Sequence, residues 1–247
     1  MRKRLDQLLV ERGLVESRTR AQALVLEGKI LVAGQVETKA SKQVEEDVDL
    51  AVKQPPRFVS RGGEKLAGAF DLWSGRGLCA RDKVCLDVGS STGGFTDCLL
   101  QNGARRVMAV DVGTNQLAYK LRADSRVWVR ENYNARFMCV ADLPEVPSLA
   151  VTDVSFISLK LILPPIRDVL ASGGEIVALI KPQFEVGKGK APGGLVRDEG
   201  LRLEARDEIV SFARNELQLE LLGLEESPIR GKEMGNIEYL SWWRRGE

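Results

Sequence analysis

The sequence predicts an α/β protein in which a doubly wound sheet follows a small α+β domain. Short apolar strands alternate with helical segments over residues 59–247, and a compact α+β pattern occupies the start of the chain. Between the two regions lies Pro55-Pro56, which cannot continue a helix or a central strand. We therefore predict a domain at 1–53, a linker at 54–58 and a second domain at 59–247.

The first domain is predicted to contain two helices and a few short strands. Leucines at helical spacing predict the first helix, and Gly28 is the expected stop of the second. Apolar residues around Gly34-Gln35 predict a hairpin that turns at this pair. The predicted bounds are 4–11 and 19–27 for the helices, 30–36 for the hairpin and 44–50 for a last strand.

In the second domain, five apolar runs are predicted to be parallel strands buried on both faces. Helices lie between them, and two further strands follow the last helix. The predicted strands are 84–88, 107–111, 127–129, 150–153, 175–180, 219–224 and 237–243, and the predicted helices are 96–102, 115–121, 157–169 and 199–216. This alternation is typical of a doubly wound sheet.

The composition excludes several kinds of chemistry. The 36 Lys+Arg nearly balance the 35 Asp+Glu, so a nucleic-acid-binding charge must be local. With no histidine, neither a Ser-His-Asp system nor a histidine-ligated zinc site can form. The four cysteines lack C-x-x-C spacing, which disfavours a zinc ribbon or a thioredoxin-type redox site. We expect these cysteines to be small hydrophobic residues buried in the core. Without a secretory signal or an apolar run of ~18 residues, we predict a cytoplasmic protein that binds neither membrane nor metal.

The first 44 residues carry nine Lys/Arg against five Asp/Glu, a difference of +4. Their order, Arg4-Leu-Asp-x-x-Leu followed by Ser17-Arg-Thr-Arg-Ala-Gln, resembles the S-four RNA-binding module over residues 2–50. The charges alone could also form a solvated helix face. The resemblance implies contacts with structured RNA. Contacts to phosphates would add affinity without reading the base sequence. The implied RNA-binding residues are Arg4, Arg18, Arg20 and Lys29.

A glycine-bearing turn joins a strand to a helix in the run Leu86-Asp-Val-Gly-Ser-Ser-Thr-Gly-Gly-Phe95. Glycines let a cofactor approach the backbone closely. The spacing G-x-x-x-G-G differs from the G-x-G-x-x-G of dinucleotide-binding turns, which disfavours a nicotinamide-dependent oxidoreductase. Asp87 and Asp111 end neighbouring strands, where an acid can hold ribose hydroxyls, although each could instead be a strand-end cap or an ion-pair partner.

Together these residues resemble the FtsJ-like ribosomal RNA 2′-O-methyltransferases, whose turn reads Asp-Leu-Gly-x-x-Pro-Gly-Gly-Phe. Val88 and Thr92 depart from that pattern, whereas the glycines are kept. The resemblance implies a Rossmann-like methyltransferase sheet and S-adenosyl-L-methionine as the cofactor. The implied cofactor-binding residues are Asp87, Gly89, Ser90, Ser91, Gly93, Gly94, Phe95, Asp111, Asn134 and Asp153.

Four polar residues match the Lys-Asp-Lys-Glu tetrad of that family in order and context, which implies a catalytic role. They are Lys65, Asp153, Lys181 and Glu238. Asp153 and Lys181 end neighbouring strands, so the sheet should bring them together, whereas spacing alone places neither Lys65 nor Glu238. Lys181 is the candidate base for a ribose hydroxyl, or else the cation that orients it. Surface ion pairing is the alternative for each residue.

The motifs Ser60-Arg-Gly-Gly-x-Lys-Leu, Lys181-Pro-Gln-Phe-Glu185 and Gly235-Asn-x-Glu-Tyr239 are together similar to those of the TlyA family. This resemblance implies methylation of cytidine 2′-hydroxyls in ribosomal RNA, with the small subunit, the large subunit or both as partners. A non-catalytic RNA-binding assembly factor is the main alternative. A cytolysin, suggested by the family's other label, hemolysin, is disfavoured by composition. We expect a monomer and leave the role of Trp242-Trp243 open.

Overall fold

The computed structural model describes residues 1–53, 56–187, 189–231 and 234–246. The chain forms two compact units, Met1–Pro56 and Arg57–Glu247. Hydrophobic cores lie within each unit. Two residues of the predicted linker, Gln54 and Pro55, lie outside the described residues.

Within its described residues, 1–53 and 56, the first unit contains two helices and five short strands. In chain order its elements are β1 (Arg2–Arg4), α1 (Leu5–Glu11), α2 (Arg18–Leu26), β2 (Ile30–Val32), β3 (Gln35–Glu37), β4 (Gln43–Glu45) and β5 (Leu50–Val52). Strand β1 pairs with β4, and β2 lies between β3 and β5, all antiparallel. Ser17 caps α2 by accepting a hydrogen bond from the Arg20 amide. Apolar side chains of both helices and of β2, β4 and β5 form the core.

Three details of the first unit differ from the sequence-based expectation. The hairpin turns at Ala33-Gly34, where φ is 49° and 77°, as a two-residue turn of type I′ requires. The single strand expected over 44–50 is two strands, because the Val48 amide bonds back to the Glu45 carbonyl and closes a turn. Arg4 ends β1 and does not belong to the first helix.

The second unit is a seven-stranded sheet with helices on both sides. Its elements are α3 (Gly62–Trp73), β6 (Val84–Val88), α4 (Gly94–Gln101), β7 (Arg106–Val110), α5 (Tyr119–Arg122), β8 (Val127–Arg130), β9 (Leu149–Thr152), α6 (Leu163–Val169), β10 (Glu175–Ile180), α7 (Pro182–Glu185), α8 (Glu199–Asn215), β11 (Leu219–Glu226) and β12 (Tyr239–Arg245). The strand order is β11-β12-β10-β9-β6-β7-β8. Strands β6 to β10 pair in parallel, and β12 runs antiparallel to β10 and β11. The predicted doubly wound α/β class is confirmed.

The core lies on the two faces of this sheet. Strands β6, β9 and β10 are buried at every position, as their continuous apolar runs predict. The Trp242-Trp243 pair belongs to the core, with exposures of 1% and 0%, and Trp242 stacks on Trp73 with ring centroids 5.8 Å apart. The expectation for the cysteines was half wrong, because Cys79 and Cys139 are exposed.

Two predicted helices are shorter than expected. The helix over 115–121 is reduced to α5, because Glu131 accepts hydrogen bonds from the backbone amides of Asn115, Gln116 and Leu117 and holds them in a turn. The helix over 157–169 begins as α6 at Leu163, immediately before two prolines that suit a first helical turn. Neither change moves a strand of the sheet.

The strand order reverses between β6 and β9. From β6 the chain winds outward through β7 and β8, and then returns to β9 on the other side of β6. Open α/β sheets bind ligands beyond the carboxyl ends of their strands at such a switch point. The topology therefore directs attention to the residues that follow β6, β9 and β10.

Candidate active site

A cavity of about 810 Å³ opens at this switch point, within the size range of sites for small molecules and cofactors. Its walls come from the turns after β6, β9 and β10, the start of α3 and the segment before β12. Predicted site residues among the lining are Lys65, Gly89, Ser90, Ser91, Gly94, Phe95, Asp153, Lys181 and Glu238.

The four predicted catalytic side chains meet on one wall of the cavity. Lys181 Nζ lies 2.6 Å from Asp153 Oδ1, and Lys65 Nζ lies 3.6 Å from Asp153 Oδ2. Lys65 Nζ also donates a hydrogen bond of 2.6 Å to Glu238 Oε2. All four side chains are at most 18% exposed. Two ammonium groups alternate with two carboxylates, so each buried charge has a partner of opposite sign.

The direction of β12 explains how Glu238 reaches the same edge of the sheet as Lys181. Ile180 is paired with Tyr239 in the antiparallel β10–β12 ladder. The residue after β10 and the residue before β12 therefore lie at the same edge of the sheet. The sequence predicted that Glu238 lies on the last strand. In the structure it directly precedes β12.

Close packing of α3 on α4 places Lys65, which lies in the first turn of α3. A Cβ on Gly94 would lie 2.3 Å from Ser60 Oγ and 2.8 Å from the Gly63 nitrogen. A Cβ on Gly63 would lie 2.2 Å from the ring of Phe58. The absence of a Cβ at Gly94 therefore lets the start of α3 approach the turn after β6, whereas its absence at Gly63 leaves room for the ring of Phe58, which precedes α3.

Three further side chains contact the tetrad and were missed from the sequence. Ser155 accepts a hydrogen bond of 2.8 Å from Lys181 Nζ, and Gln183 Nε2 donates one of 3.2 Å to Glu238 Oε1. The ring centroid of Phe184 lies 5.9 Å from Lys181 Nζ. Each follows a tetrad residue by two or three positions, so inspection of the turns after β9 and β10 would have found them.

The predicted cofactor-binding residues fall into two groups. Gly89, Ser90, Ser91, Gly94, Phe95 and Asp153 line the cavity. Four others, Asp87, Gly93, Asp111 and Asn134, are outside its lining in the part of the chain that the structure describes. Gly93 belongs to the glycine turn and Asp111 bonds to it, whereas Asp87 bonds to α4 and Asn134 caps a short 3₁₀ turn whose residues are not in the cavity lining.

Gly93 and Asp111 determine the conformation of the glycine turn. Gly93 has φ 95°, and a Cβ there would lie 2.3 Å from a methyl of Leu121. Asp111 Oδ2 accepts a hydrogen bond of 2.7 Å from the Ser91 amide, and Oδ1 accepts one of 2.6 Å from the Gly113 amide. Since a carboxylate oxygen has two lone pairs, Asp111 keeps acceptor capacity for a ribose hydroxyl.

Asp87 and Asn134 also bond to the protein itself. The Asp87 side chain is fully buried and accepts a hydrogen bond of 2.7 Å from Thr96 Oγ1. Burial raises the pKa of Asp87 to about 7. Asn134 Oδ1 accepts a hydrogen bond of 3.1 Å from the Arg136 amide and caps a short 3₁₀ turn. Asp87 would therefore influence a ligand only through the turn that it supports.

The predicted RNA-binding residues lie in the first unit. Arg4 and Arg18 both donate to the buried carboxylate of Asp6. Arg20 is exposed, and Lys29 Nζ lies 2.7 Å from the Glu27 carboxylate. The structure therefore brings two of the four together at one acid.

The described ranges contain neither a membrane-spanning helix nor a metal-binding group of side chains. No helix there has the length and apolar character needed to cross a membrane. Nor do three or more His, Cys, Asp or Glu side chains come together there in a group suited to a metal ion.

Comparison with known proteins identifies the family. The FtsJ-like methyltransferase profile matches residues 58–245, and the S4 domain profile matches residues 3–50. Bacillus subtilis YqxC, provisionally named an rRNA methyltransferase, is 46% identical over 97% of this chain and 84% of its own. Mycobacterium tuberculosis TlyA, named a 16S/23S rRNA (cytidine-2′-O)-methyltransferase, is 41% identical over 98% of this chain and 90% of its own.

A solved structure extends the comparison to three dimensions. A Streptococcus thermophilus protein, provisionally named a hemolysin, superposes with a TM-score of 0.75 at 41% identity, over 100% of this chain and 89% of its own. The resemblance drawn from the motifs is thus confirmed. The chain belongs to the FtsJ-like methyltransferase family, as a TlyA-type member with an S4 domain ahead of its methyltransferase domain.

Proposed function

We propose that this protein transfers a methyl group from S-adenosyl-L-methionine to the 2′-hydroxyl of a cytidine in ribosomal RNA. The row Lys181–Asp153–Lys65–Glu238 on the cavity wall is the observation that carries the proposal. The Mycobacterium tuberculosis relative, which is named for this reaction, supports the choice of substrate.

The chemistry of the cavity lining suits this cofactor. The N-terminus of α4 lies at the glycine turn, and its dipole favours a carboxylate such as that of a methionine group. The Asp153 carboxylate faces the same cavity and suits a positively charged group. Asp111, beside the turn, has acceptor capacity for ribose hydroxyls. When bound, the cofactor supplies an electrophilic methyl group on a positively charged sulfur.

Lys181 is the residue that we assign to the ribose hydroxyl. Asp153 and Ser155 hold its Nζ from two sides, at 2.6 and 2.8 Å, and so fix the direction of the amine. In-line transfer needs an aligned oxygen, and this alignment can supply much of the rate. Lys65 extends the row by contacting Asp153 Oδ2 at 3.6 Å, and Glu238 holds Lys65 in turn. Lys181 then either accepts the hydroxyl proton or orients the hydroxyl as a cation.

The first unit supports RNA binding through the phosphate backbone. Residues 1–56 contain no Phe, Tyr or Trp, so aromatic stacking on unpaired bases is excluded there. They contain ten Lys/Arg and nine Asp/Glu, a net charge of +1, so an attractive surface depends on how these charges are arranged. Recognition by this unit therefore rests on phosphate contacts and on RNA shape.

The test is transfer of tritium from labelled S-adenosyl-L-methionine to purified small and large ribosomal subunits that lack the modification. Lys181→Ala is the active-site variant, and Lys160→Ala, which removes a lysine paired with Glu208 outside the cavity lining, is the matched control. We expect label in an alkali-stable ribose-methylated dinucleotide with the wild type and the control, and none with Lys181→Ala.

Two other outcomes would contradict the proposal. Full turnover by Lys181→Ala would remove the role assigned to that residue. Absence of label on both subunits, despite measurable cofactor binding, would favour a non-catalytic assembly factor or a different RNA substrate.

A further inference from the structure

Asp6 is a buried acid in a unit whose polar side chains are mostly at the surface. It lies in the first turn of α1, and its side chain is 0% exposed. Its carboxylate accepts four hydrogen bonds, from Arg4 Nε and Nη2 at 3.0 Å each, Arg18 Nε at 2.9 Å and Gln22 Nε2 at 2.8 Å. These donors keep the pKa of Asp6 well below its usual range. One ionised carboxylate therefore holds three side chains from β1 and α2.

Each of the two arginines binds Asp6 through some of its guanidinium N–H groups and keeps the others available for a ligand. Arg4 uses two of its N–H groups on Asp6, and Arg18 uses one. Their remaining N–H groups make no other hydrogen bond within the described residues. The side chains are 34% and 50% exposed, so these donors can meet a ligand in solvent. Because Arg4 Nη2 and Arg18 Nε bind the same oxygen, the two guanidinium groups are neighbours.

A pair of fixed guanidinium groups suits a phosphate. Guanidinium is planar and presents parallel N–H donors that match phosphate oxygens. A free arginine side chain loses rotamer entropy when it is ordered on a ligand, at about 0.5–1.5 kcal/mol for each side chain. Where the protein has already ordered the side chain, binding avoids this loss.

We propose that Asp6 is a positioning residue for RNA binding, which holds Arg4 and Arg18 as a preformed two-arginine clamp for a backbone phosphate. The inference rests on the proposed RNA-binding role of the first unit and adds to it the residue that organises the contact. Asp6 itself is buried and touches no RNA; it acts through the two arginines.

The sign of the charge effect separates this proposal from simple electrostatics. Asp6→Asn removes a negative charge, so an unspecific attraction to phosphates would strengthen RNA binding. A positioning role predicts weaker binding despite the more positive charge, by about tenfold. Asp47→Asn makes the same chemical change at an exposed acid in the β4–β5 turn and is the matched control.

The experiment measures the affinity of the full-length protein for purified unmodified small and large subunits by filter binding, at several salt concentrations. We expect Asp6→Asn to bind about tenfold more weakly than the wild type. The slope of log affinity against log salt concentration should become shallower by about 1, as the loss of one phosphate contact predicts. Asp47→Asn should bind as tightly as the wild type or more tightly. Equal or tighter binding by Asp6→Asn would overturn the inference.

A second variant removes the dependence on Asp6→Asn folding correctly. Arg4→Lys/Arg18→Lys keeps the charge but loses the planar donors, so it should lose affinity to a similar degree, and adding Asp6→Asn to it should have little further effect. Wild-type affinity in the double lysine variant would also overturn the clamp. If the wild type itself binds neither subunit, the RNA-binding role of the unit fails, and the inference fails with it.

Discussion

Replacing Asp87 with asparagine should stabilise the second unit at alkaline pH and change the pH dependence of its stability. Burial raises the pKa of Asp87 from 3.8 to about 7 in the folded protein. Below about pH 4 both the folded and the unfolded states are protonated. Between about pH 4 and 7 only the unfolded state releases its proton, so the free energy of unfolding falls as pH rises.

The size of the effect follows from the same values. The difference between 3.8 and about 7 corresponds to a destabilisation on the order of 4 kcal/mol once the buried carboxylate is ionised. Asparagine can still accept the hydrogen bond from Thr96, but its second polar atom would take the place of Oδ1, which has no hydrogen-bond partner among the described residues. Such an unpaired group costs about 1–3 kcal/mol. We therefore expect a net gain of about 1–3 kcal/mol at about pH 8 and little or no gain at about pH 5.

Tryptophan fluorescence during urea unfolding isolates this effect. The four tryptophans, Trp73, Trp128, Trp242 and Trp243, all lie in the second unit, so the first unit does not contribute to the signal. Asp71→Asn, at an exposed acid of α3, is the matched control and should show no such pH dependence. A stability difference between Asp87→Asn and the wild type that stays constant from about pH 5 to pH 8 would refute the reasoning.

Other predictions concern the tetrad, the packing of α3 and the first unit. Lys65→Met leaves the carboxylates of Asp153 and Glu238 without their shared cation and should destabilise the second unit by about 3–5 kcal/mol in the same fluorescence assay, with loss of methyl transfer. Gly94→Ala should destabilise the unit by about 1–3 kcal/mol because its Cβ would meet the Gly63 nitrogen at 2.8 Å, whereas Gly75→Ala, with no atom within 4 Å of its Cβ, should be neutral. Lys181→Arg, which keeps the charge but cannot act as a base, should retain partial transfer if the residue orients the hydroxyl and none if it is the base, as single-turnover rates would show. The pKa of Asp6 is depressed in the folded protein, so the stabilisation that its carboxylate provides is present above about pH 4 and is lost as the pH falls below that value. Unfolding followed by far-UV circular dichroism should therefore show a stability difference between the wild type and Asp6→Asn that shrinks as the pH falls below about 4.

The sequence predicted the sheet because its strands are continuous apolar runs. The same runs predicted that two of the four tetrad residues lie close together. Asp153 and Lys181 directly follow buried strands that are neighbours in the sheet, so the strand ends determine their positions. The same reasoning placed Asp87 and Asp111 at strand ends, but Asp87 lies within β6, where it is paired with Ala109, and only Asp111 directly follows its strand. It could not show that the buried Asp87 side chain bonds to Thr96, because the neighbours of a buried side chain depend on packing that periodicity does not describe.

The other half of the tetrad depends on two features that have no local sequence signal. Glu238 reaches the cavity because β12 is antiparallel to β10, and strand direction follows from the path of the whole chain. Lys65 reaches it because Gly94 lacks the Cβ atom that would meet Ser60 and the Gly63 nitrogen and keep the start of α3 away from the turn after β6. A glycine in a helix usually costs about 1 kcal/mol of stability relative to alanine, and at Gly63 it leaves room for the ring of Phe58, which a Cβ would meet at 2.2 Å. Gly94 lines the cavity and also lets α3, which carries Lys65, pack closely against α4. The turn after β6 and the row Lys181–Asp153–Lys65–Glu238 therefore depend on the same packing of α3 against α4. A change that separates α3 from α4 should displace Lys65 from its two carboxylate partners even when every tetrad residue is intact.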